Sequence, residues 1–305
     1  MTMKIDAFAH LLLPRFYEKM LAIKPELPQM FPFINHPHLL DFDKRRAAIP
    51  KDVKQIVSYV NINPEDYTDP ETAANLCVEA NNELIQAVES NSDIFAAGIA
   101  MIPMNNIPAA QSIIETVSKS HTLVGIQIFT RALGKSIADP QFRDIFEACA
   151  RLNVPLWMHP IFDERKPDNN IVFSWEYELT QAMLQLVQVG IYKDFPDLKI
   201  IVHHAGAMVP FFRERMRYTM PADQFDDFHK FYVDTALLGN AKALELAEEF
   251  YGMDHIVFGT DAPLGIPPAG STHAIIKAIE ELPFVDTDKQ KIFSTNIESI
   301  CHRTF

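Results

Sequence analysis

The chain has 305 residues, of which 48% are apolar and 22% are charged, so it is long enough to bury a large core. Its formal net charge of −13, without a basic stripe, argues against nucleic acid and anionic membranes as partners. Sparse cysteines without Cys-x-x-Cys spacing, no leader-like start and no membrane-length apolar run predict a soluble, cytoplasmic protein with reduced thiols.

Short runs of β-branched and aromatic residues alternate along the chain with longer amphipathic stretches. The eight predicted strands are Lys4–His10, Gln55–Val60, Ile94–Pro103, Leu123–Thr130, Val154–Pro160, Lys199–His204, Phe231–Ala236 and His255–Asp261. The predicted helices are Pro70–Glu89, Pro108–Lys119, Gln141–Arg151, Glu176–Val187, Met208–Tyr218, Ala241–Phe250, Thr272–Glu281 and Thr287–Ser299. This alternation predicts an α/β protein with a parallel sheet, and the count of eight favours a TIM-type (β/α)8 barrel over an open doubly wound sheet.

The connection after the first predicted strand, about residues 11–54, is unusually long. It is rich in prolines and aromatic residues, and its apolar residues show weak periodicity after an initial helical turn. Long excursions inside a compact domain are usually binding loops or lids. We therefore expect one domain over residues 1–305, a distorted barrel with a lid-like loop insertion after strand 1.

Three predicted strands end in side chains that can bind a divalent metal. His10 ends the first strand, His159 ends the fifth and Asp261 ends the eighth. The carboxyl ends of barrel strands meet at one rim, so these side chains are the predicted metal ligands. Each also has an ordinary structural interpretation, a hydrogen bond to a loop for the histidines and a loop cap for Asp261. Phe8 and Trp157 lie on the same strand faces as these histidines and are the predicted substrate-binding residues.

His203 and His204 are adjacent at the end of the sixth predicted strand. Alternation along a strand predicts that one faces the barrel and the other the helices, but the flanking residues are all apolar and leave the choice open. The inward histidine is a candidate general acid/base, because imidazole titrates near neutral pH. Asp234, at the end of the seventh strand, is either its partner or a structural cap.

Several further segments carry a family resemblance over nearly the whole chain. They are Gly98-Ile-Ala-Met-Ile-Pro103, Trp175-Glu-Tyr-Glu178, Phe195-Pro-Asp-Leu-Lys199, His203-His-Ala-Gly206, Phe258-Gly-Thr-Asp-Ala-Pro263 and Thr295-Asn-Ile297. In order and spacing they resemble the amidohydrolase superfamily, within it the branch of aminocarboxymuconate-semialdehyde decarboxylase and the resorcylate-type aromatic acid decarboxylases.

The resemblance implies a distorted TIM barrel that binds one divalent metal ion, often Zn2+ and in some members Mn2+. Its ligand pattern falls on His10, His159 and Asp261, and its catalytic histidine falls on His204. It also suggests a homodimer. The pattern places a further histidine or glutamate where this chain has Phe8, which cannot ligate, so weak metal occupancy is expected.

Three functions remain open at this point. The first is a metal-dependent decarboxylase of a small carboxylated aromatic or unsaturated acid, in which His204 manages the proton at the carbon that loses CO2. The second is a metal-dependent hydrolase of an ester, lactone or amide, with Asp261 or His204 accepting a proton from water. The third is a metal-free binding protein or inactive relative, because of Phe8.

Overall fold

A computed structural model describes residues 3–305 of the chain. Within that range the main sheet has seven strands, β1 (Lys4–Leu11), β2 (Val53–Tyr59), β3 (Phe95–Ala100), β4 (Leu123–Phe129), β5 (Leu156–His159), β6 (Ile200–Val202) and β7 (Tyr232–Val233). The strands follow one another in sequence order, and every neighbouring pair is parallel. The predicted α/β architecture is confirmed.

The eighth predicted strand, His255–Asp261, forms isolated bridges instead of a regular strand. It nevertheless lies between the two edges of the sheet: the Val257 N–H donates to β7 at 2.9 Å, and β1 donates to the Phe258 carbonyl at 2.7 Å. Gly259 allows this segment to approach its neighbours closely, because a Cβ there would lie 2.8 Å from the Asp234 Cβ. This segment therefore closes the seven-stranded sheet into a barrel.

Helices connect successive strands and pack against the outside of the sheet. Their bounds are α1 Pro14–Ile23, α2 Leu27–Met30, α3 Pro37–Leu40, α4 Phe42–Ala48, α5 Pro70–Ser90, α6 Ile107–Ser118, α7 Arg143–Leu152, α8 Ser174–Gln188, α9 Ile191–Asp194, α10 Arg213–Thr219, α11 Ala222–Phe228, α12 Ala241–Tyr251, α13 Thr272–Glu281, α14 Asp286–Gln290 and α15 Asn296–Ile300. A π-helical turn, Lys291–Thr295, joins the last two. One apolar cluster fills the space between helices and strands, and a smaller one fills the barrel interior.

The segment after β1 differs from the predicted loop, because it consists mainly of the short helices α1–α4. Two of its prolines, Pro14 and Pro37, start helices instead of breaking them, because each occupies the first helical position. The segment is tied to the barrel by the buried Arg45, whose guanidinium donates to the carbonyl of His10. Whether the segment acts as a lid stays a prediction.

Among the described residues, no helix combines the length and the apolar composition that a membrane span requires.

Candidate metal centre

Four side chains converge at the carboxyl ends of the barrel strands. His10, His159, His203 and Asp261 each offer one donor atom, and these atoms all lie within 4.8 Å of one another. The Asp261 Oδ1 lies 3.2 Å from the His10 Nε2 and 3.4 Å from the His203 Nε2. The three histidines are at most 2% exposed. The predicted convergence of the strand ends therefore exists, with His203 as a fourth member.

The Nδ1 of each imidazole in this cluster forms a hydrogen bond on the side that faces away from the other donor atoms. The His10 Nδ1 is hydrogen-bonded to the Ser58 Oγ at 3.0 Å, and the His159 Nδ1 donates to the carbonyl of the following proline at 2.8 Å. The His203 Nδ1 donates to the carboxylate of Asp234. Metal-ligating histidines are usually oriented in this way, because the bond fixes the tautomer and leaves Nε2 free.

The donor atoms facing the centre are unsatisfied. The His10 Nε2, the His203 Nε2 and the Asp261 Oδ1 are buried and have no hydrogen-bond partner within residues 3–305. Buried polar atoms are almost always paired, so such a group of orphaned atoms requires an explanation. Ligands of a tetrahedral Zn2+ lie about 3.3 Å apart, which matches the two measured separations from Asp261. Three imidazoles and a carboxylate are also a donor set that suits Zn2+ or Mn2+.

The protonation states agree with metal binding at most of these positions. Burial lowers the pKa of His10 and of His159, which keeps both imidazoles neutral. Burial would raise the pKa of Asp261, but the His10 and His203 imidazoles that face its carboxylate outweigh burial and hold that pKa well below its usual range. For His203, the nearby Asp234 carboxylate outweighs burial and raises the pKa to about 10, so a metal ion that bound its Nε2 would displace a proton.

The two adjacent histidines do not point to opposite faces, which corrects the prediction from strand alternation. β6 ends at Val202, and His204 has a φ of 54°, so the alternation rule no longer applies to it. The His203 ring enters the donor cluster, and the His204 ring lies beside it with ring centroids 4.1 Å apart. The His204 Nδ1 donates to the Glu176 Oε1 at 2.7 Å.

Aromatic side chains surround the cluster. Phe8 is fully buried and stacks on His203, with ring centroids 4.0 Å apart and an interplanar angle of 23°. Trp157 is also fully buried, two residues before His159 on β5, and its Nε1 donates to the Ala7 carbonyl at 2.7 Å. Their assignment as substrate-binding residues stays a prediction.

Further aromatic contacts were not anticipated from the sequence. Phe129 and Trp175 approach the His159 ring with centroid distances of 6.0 Å and 5.7 Å. Trp175 and Glu176 stand in one of the segments that carried the resemblance, but nothing in their spacing indicated that they reach the strand ends. Asp234 fills both proposed roles, because it holds His203 and also accepts from the Ala205 and Ala236 N–H groups.

Comparison with known proteins agrees with this architecture. A family model described as Amidohydrolase matches residues 5–300. The chain is 25% identical over 260 residues to 2-amino-3-carboxymuconate-6-semialdehyde decarboxylase of Dictyostelium discoideum, covering 79% of this chain and 70% of that protein. It is 28% identical over 160 residues to 6-methylsalicylic acid decarboxylase of Penicillium expansum, a match that spans 46% of this chain and 48% of the relative.

Two solved structures share the fold along their whole length. The 5-carboxyvanillate decarboxylase of Sphingomonas paucimobilis superposes with a TM-score of 0.86 at 20% identity, covering 100% of both chains. A dihydroxybenzoic acid decarboxylase of Polaromonas sp., with bound manganese and the inhibitor 2-nitroresorcinol, gives a TM-score of 0.80 at 23% identity, covering 99% of this chain and 97% of that one.

Proposed function

The chain belongs to the amidohydrolase family, and on that premise we propose that it is a metal-dependent decarboxylase of a small carboxylated aromatic or unsaturated acid. The observation that carries the proposal is the buried cluster of donor atoms at the carboxyl ends of the strands, which find no hydrogen-bond partner within residues 3–305. This is the rim at which TIM barrels place their active sites. Relatives that are named decarboxylases support the same reaction.

One divalent metal ion belongs to this proposal, held by His10, His159 and Asp261. Zn2+ is the ion we propose first, because imidazole-rich donor sets suit it, and the manganese bound by the Polaromonas neighbour makes Mn2+ the second choice. When bound, the metal supplies a Lewis acid that fixes and polarises the substrate's carboxylate.

His204 is the proposed acid/base residue. In decarboxylation the bond between the ring carbon and the carboxylate breaks, CO2 leaves, and the carbon takes up a proton. Glu176 accepts a hydrogen bond from the His204 Nδ1, so the imidazolium form of His204 delivers that proton from its Nε2 and becomes a neutral imidazole. The nearby ring of Trp175 offers a flat apolar surface for an aromatic substrate.

A homodimer is part of the same proposal. Its support is a set of large apolar side chains that remain exposed: Ile171 is 67% exposed, Phe173 and Phe211 are each 73% exposed and Tyr218 is 79% exposed. Light scattering tests it, since a mass of one chain would contradict it. The cytoplasmic location stays a prediction.

Product analysis tests the proposed reaction. The protein, loaded with Zn2+ or with Mn2+, is incubated with hydroxylated benzoic acids and with unsaturated dicarboxylic acids. We expect CO2 and a product with one carboxyl group fewer. Hydrolysis of an ester or lactone panel without CO2 would contradict the proposal in favour of a hydrolase.

The variants His204→Asn and His121→Asn are compared in the same assay. Only the first should lose turnover, because His121 is exposed just before β4, at the end of the barrel opposite the donor cluster. A protein that binds no metal and turns over no substrate would favour the metal-free interpretation.

A further inference from the structure

The side chain of Phe8, on β1, lies beside the donor cluster. Phe8 and His10 are two residues apart on β1, so both side chains face the barrel interior. A ligand at position 8 would stand next to the donor cluster, and the phenyl ring that occupies it cannot bind a metal. The first strand therefore contributes His10 alone.

His203 has the features of a ligand. Its side chain is fully buried, its Nδ1 is held by Asp234, and its Nε2 has no hydrogen-bond partner in the described part of the chain. That Nε2 lies 3.4 Å from the Asp261 Oδ1, nearly the same separation as the 3.2 Å between Asp261 and His10. By geometry, His203 is equivalent to His10 as a donor.

Phe8 is the closest aromatic neighbour of this histidine. Their rings are nearly parallel, with centroids 4.0 Å apart, whereas the centroid of Phe8 lies 5.7 Å from that of His10 and 6.0 Å from that of His159. Stacking on Phe8 from one side and the bond to Asp234 at the rear together restrict the His203 ring to one orientation.

We propose that His203 is the fourth protein ligand of the metal and that Phe8 positions its ring. In this chain the fourth ligand has moved from the first strand to the end of the sixth. This change in the position of the fourth ligand also explains the pair of adjacent histidines. His203 binds the metal, and the next residue, His204, remains available for proton transfer. The inference rests on the proposed metal site, but it does not depend on which reaction the site performs.

Metal affinity tests the inference without any substrate. Four proteins are compared: the wild type, His203→Asn, Phe8→His, and the double variant Phe8→His/His203→Asn. Zn2+ affinity is measured by competition with a chelator, and the visible absorption of the Co2+ form reports the coordination number. Thermal unfolding of each metal-free protein verifies that it is folded.

The wild type should bind one metal ion, and His203→Asn should weaken binding by about 100-fold or more, since even loss of an outer-shell partner costs 10–100-fold. The double variant should recover most of that loss, because its new histidine at position 8 restores four ligands. Phe8→His keeps His203 and should give a weaker Co2+ absorption, which indicates a higher coordination number.

Equal affinity and an unchanged Co2+ spectrum in His203→Asn would overturn the inference, and so would a double variant no better than the single one. If His203→Asn does not fold, the Co2+ spectrum of Phe8→His decides, because an unchanged spectrum there also overturns it. Failure of the proposed function looks different: the wild type binds metal through His203 and releases no CO2.

Discussion

The first strand of the barrel contributes to two buried polar clusters, and these clusters differ in whether their facing polar atoms have hydrogen-bond partners. Asp6 forms the lower cluster and His10 belongs to the upper one, four residues along β1. The Asp6 carboxylate accepts hydrogen bonds from the Gln55 Nε2 at 2.8 Å, from the Thr260 N–H at 3.0 Å and from the Thr260 Oγ at 2.6 Å. In the upper cluster the donor atoms of His10 and Asp261 face each other without a partner among the described residues.

The lower cluster is a structural hydrogen-bond network, whereas the upper cluster is a candidate metal site. The charge of the Asp6 carboxylate is compensated by hydrogen bonds that join the first strand to the closing segment at Thr260. Arg45 extends this network by donating to Gln55 at 2.7 Å. Changes in the lower cluster should therefore affect stability, and changes in the upper cluster should affect metal binding and turnover.

The largest expected effect is on turnover. Replacing His159 by alanine removes a metal ligand, and the several kcal/mol of charge stabilisation lost with the metal correspond to about a 1,000-fold fall in kcat/KM. Elemental analysis and CO2 release measure the two losses together. Turnover that survives without bound metal would contradict the assignment of this cluster.

A substitution in the lower cluster should act on stability. Asp6→Ala leaves the Gln55 amide and the Thr260 hydroxyl without their acceptor and removes the negative charge near the buried Arg45, so we expect the free energy of unfolding to fall by about 3 kcal/mol. Urea denaturation measures the change, and Asp6→Asn, which retains an acceptor oxygen, is the milder control. A variant that kept its stability and lost its metal instead would reverse the assignment of the two clusters.

Metal addition should distinguish the clusters directly. At a free Zn2+ concentration of about 100 times Kd, binding stabilises the native state by about 2.7 kcal/mol, which appears as a higher Tm. The Asp6→Asn variant should keep this increase and the His159→Ala variant should lose it. An equal increase in both variants would indicate binding elsewhere.

A buried carboxyl outside both clusters gives the smallest expected effect. Glu65 lines a small cavity with Tyr59, Gln127 and Phe129, and burial raises its pKa to about 8. The unfolded chain ionises near the ordinary glutamate pKa, so the stability that neutral Glu65 contributes is full below about pH 4.5 and is lost as pH rises through about 8.

Glu65→Gln removes this dependence, because the amide does not ionise. We expect the stability of the variant relative to that of the wild type to increase as the pH rises from about 4.5, and to be greatest near pH 8. Thermal unfolding across that range measures it. A difference that does not vary with pH would mean that Glu65 is ionised in the native protein.

Much of the barrel and part of the site could be predicted from the sequence. Apolar runs that end in His10, His159 and Asp261 locate strand ends, and the carboxyl ends of parallel strands meet at one rim. The inward histidine could not be predicted, because the choice depends on whether the strand ends at Val202 or two residues later. That boundary is set by backbone turns beyond β6 and not by the apolar pattern.

The segment after β1 could not be predicted for a different reason. Prolines break a helix in its interior but start one at its first position, and the sequence alone does not separate the two cases. Pro14 and Pro37 both start helices here. The position of the closing segment between the first and last strands was predicted, but its irregular backbone was not. The close approach at Gly259 depends on the neighbouring strands.

Anomalous diffraction from crystals soaked in Mn2+ tests the central claim most directly, since it locates the ion without reference to any reaction. We predict one peak per chain, within ligand distance of the Nε2 atoms of His10, His159 and His203 and of the Asp261 Oδ1. A cluster without a peak in crystals that bind Mn2+ elsewhere would contradict the assignment of these four side chains as a metal centre.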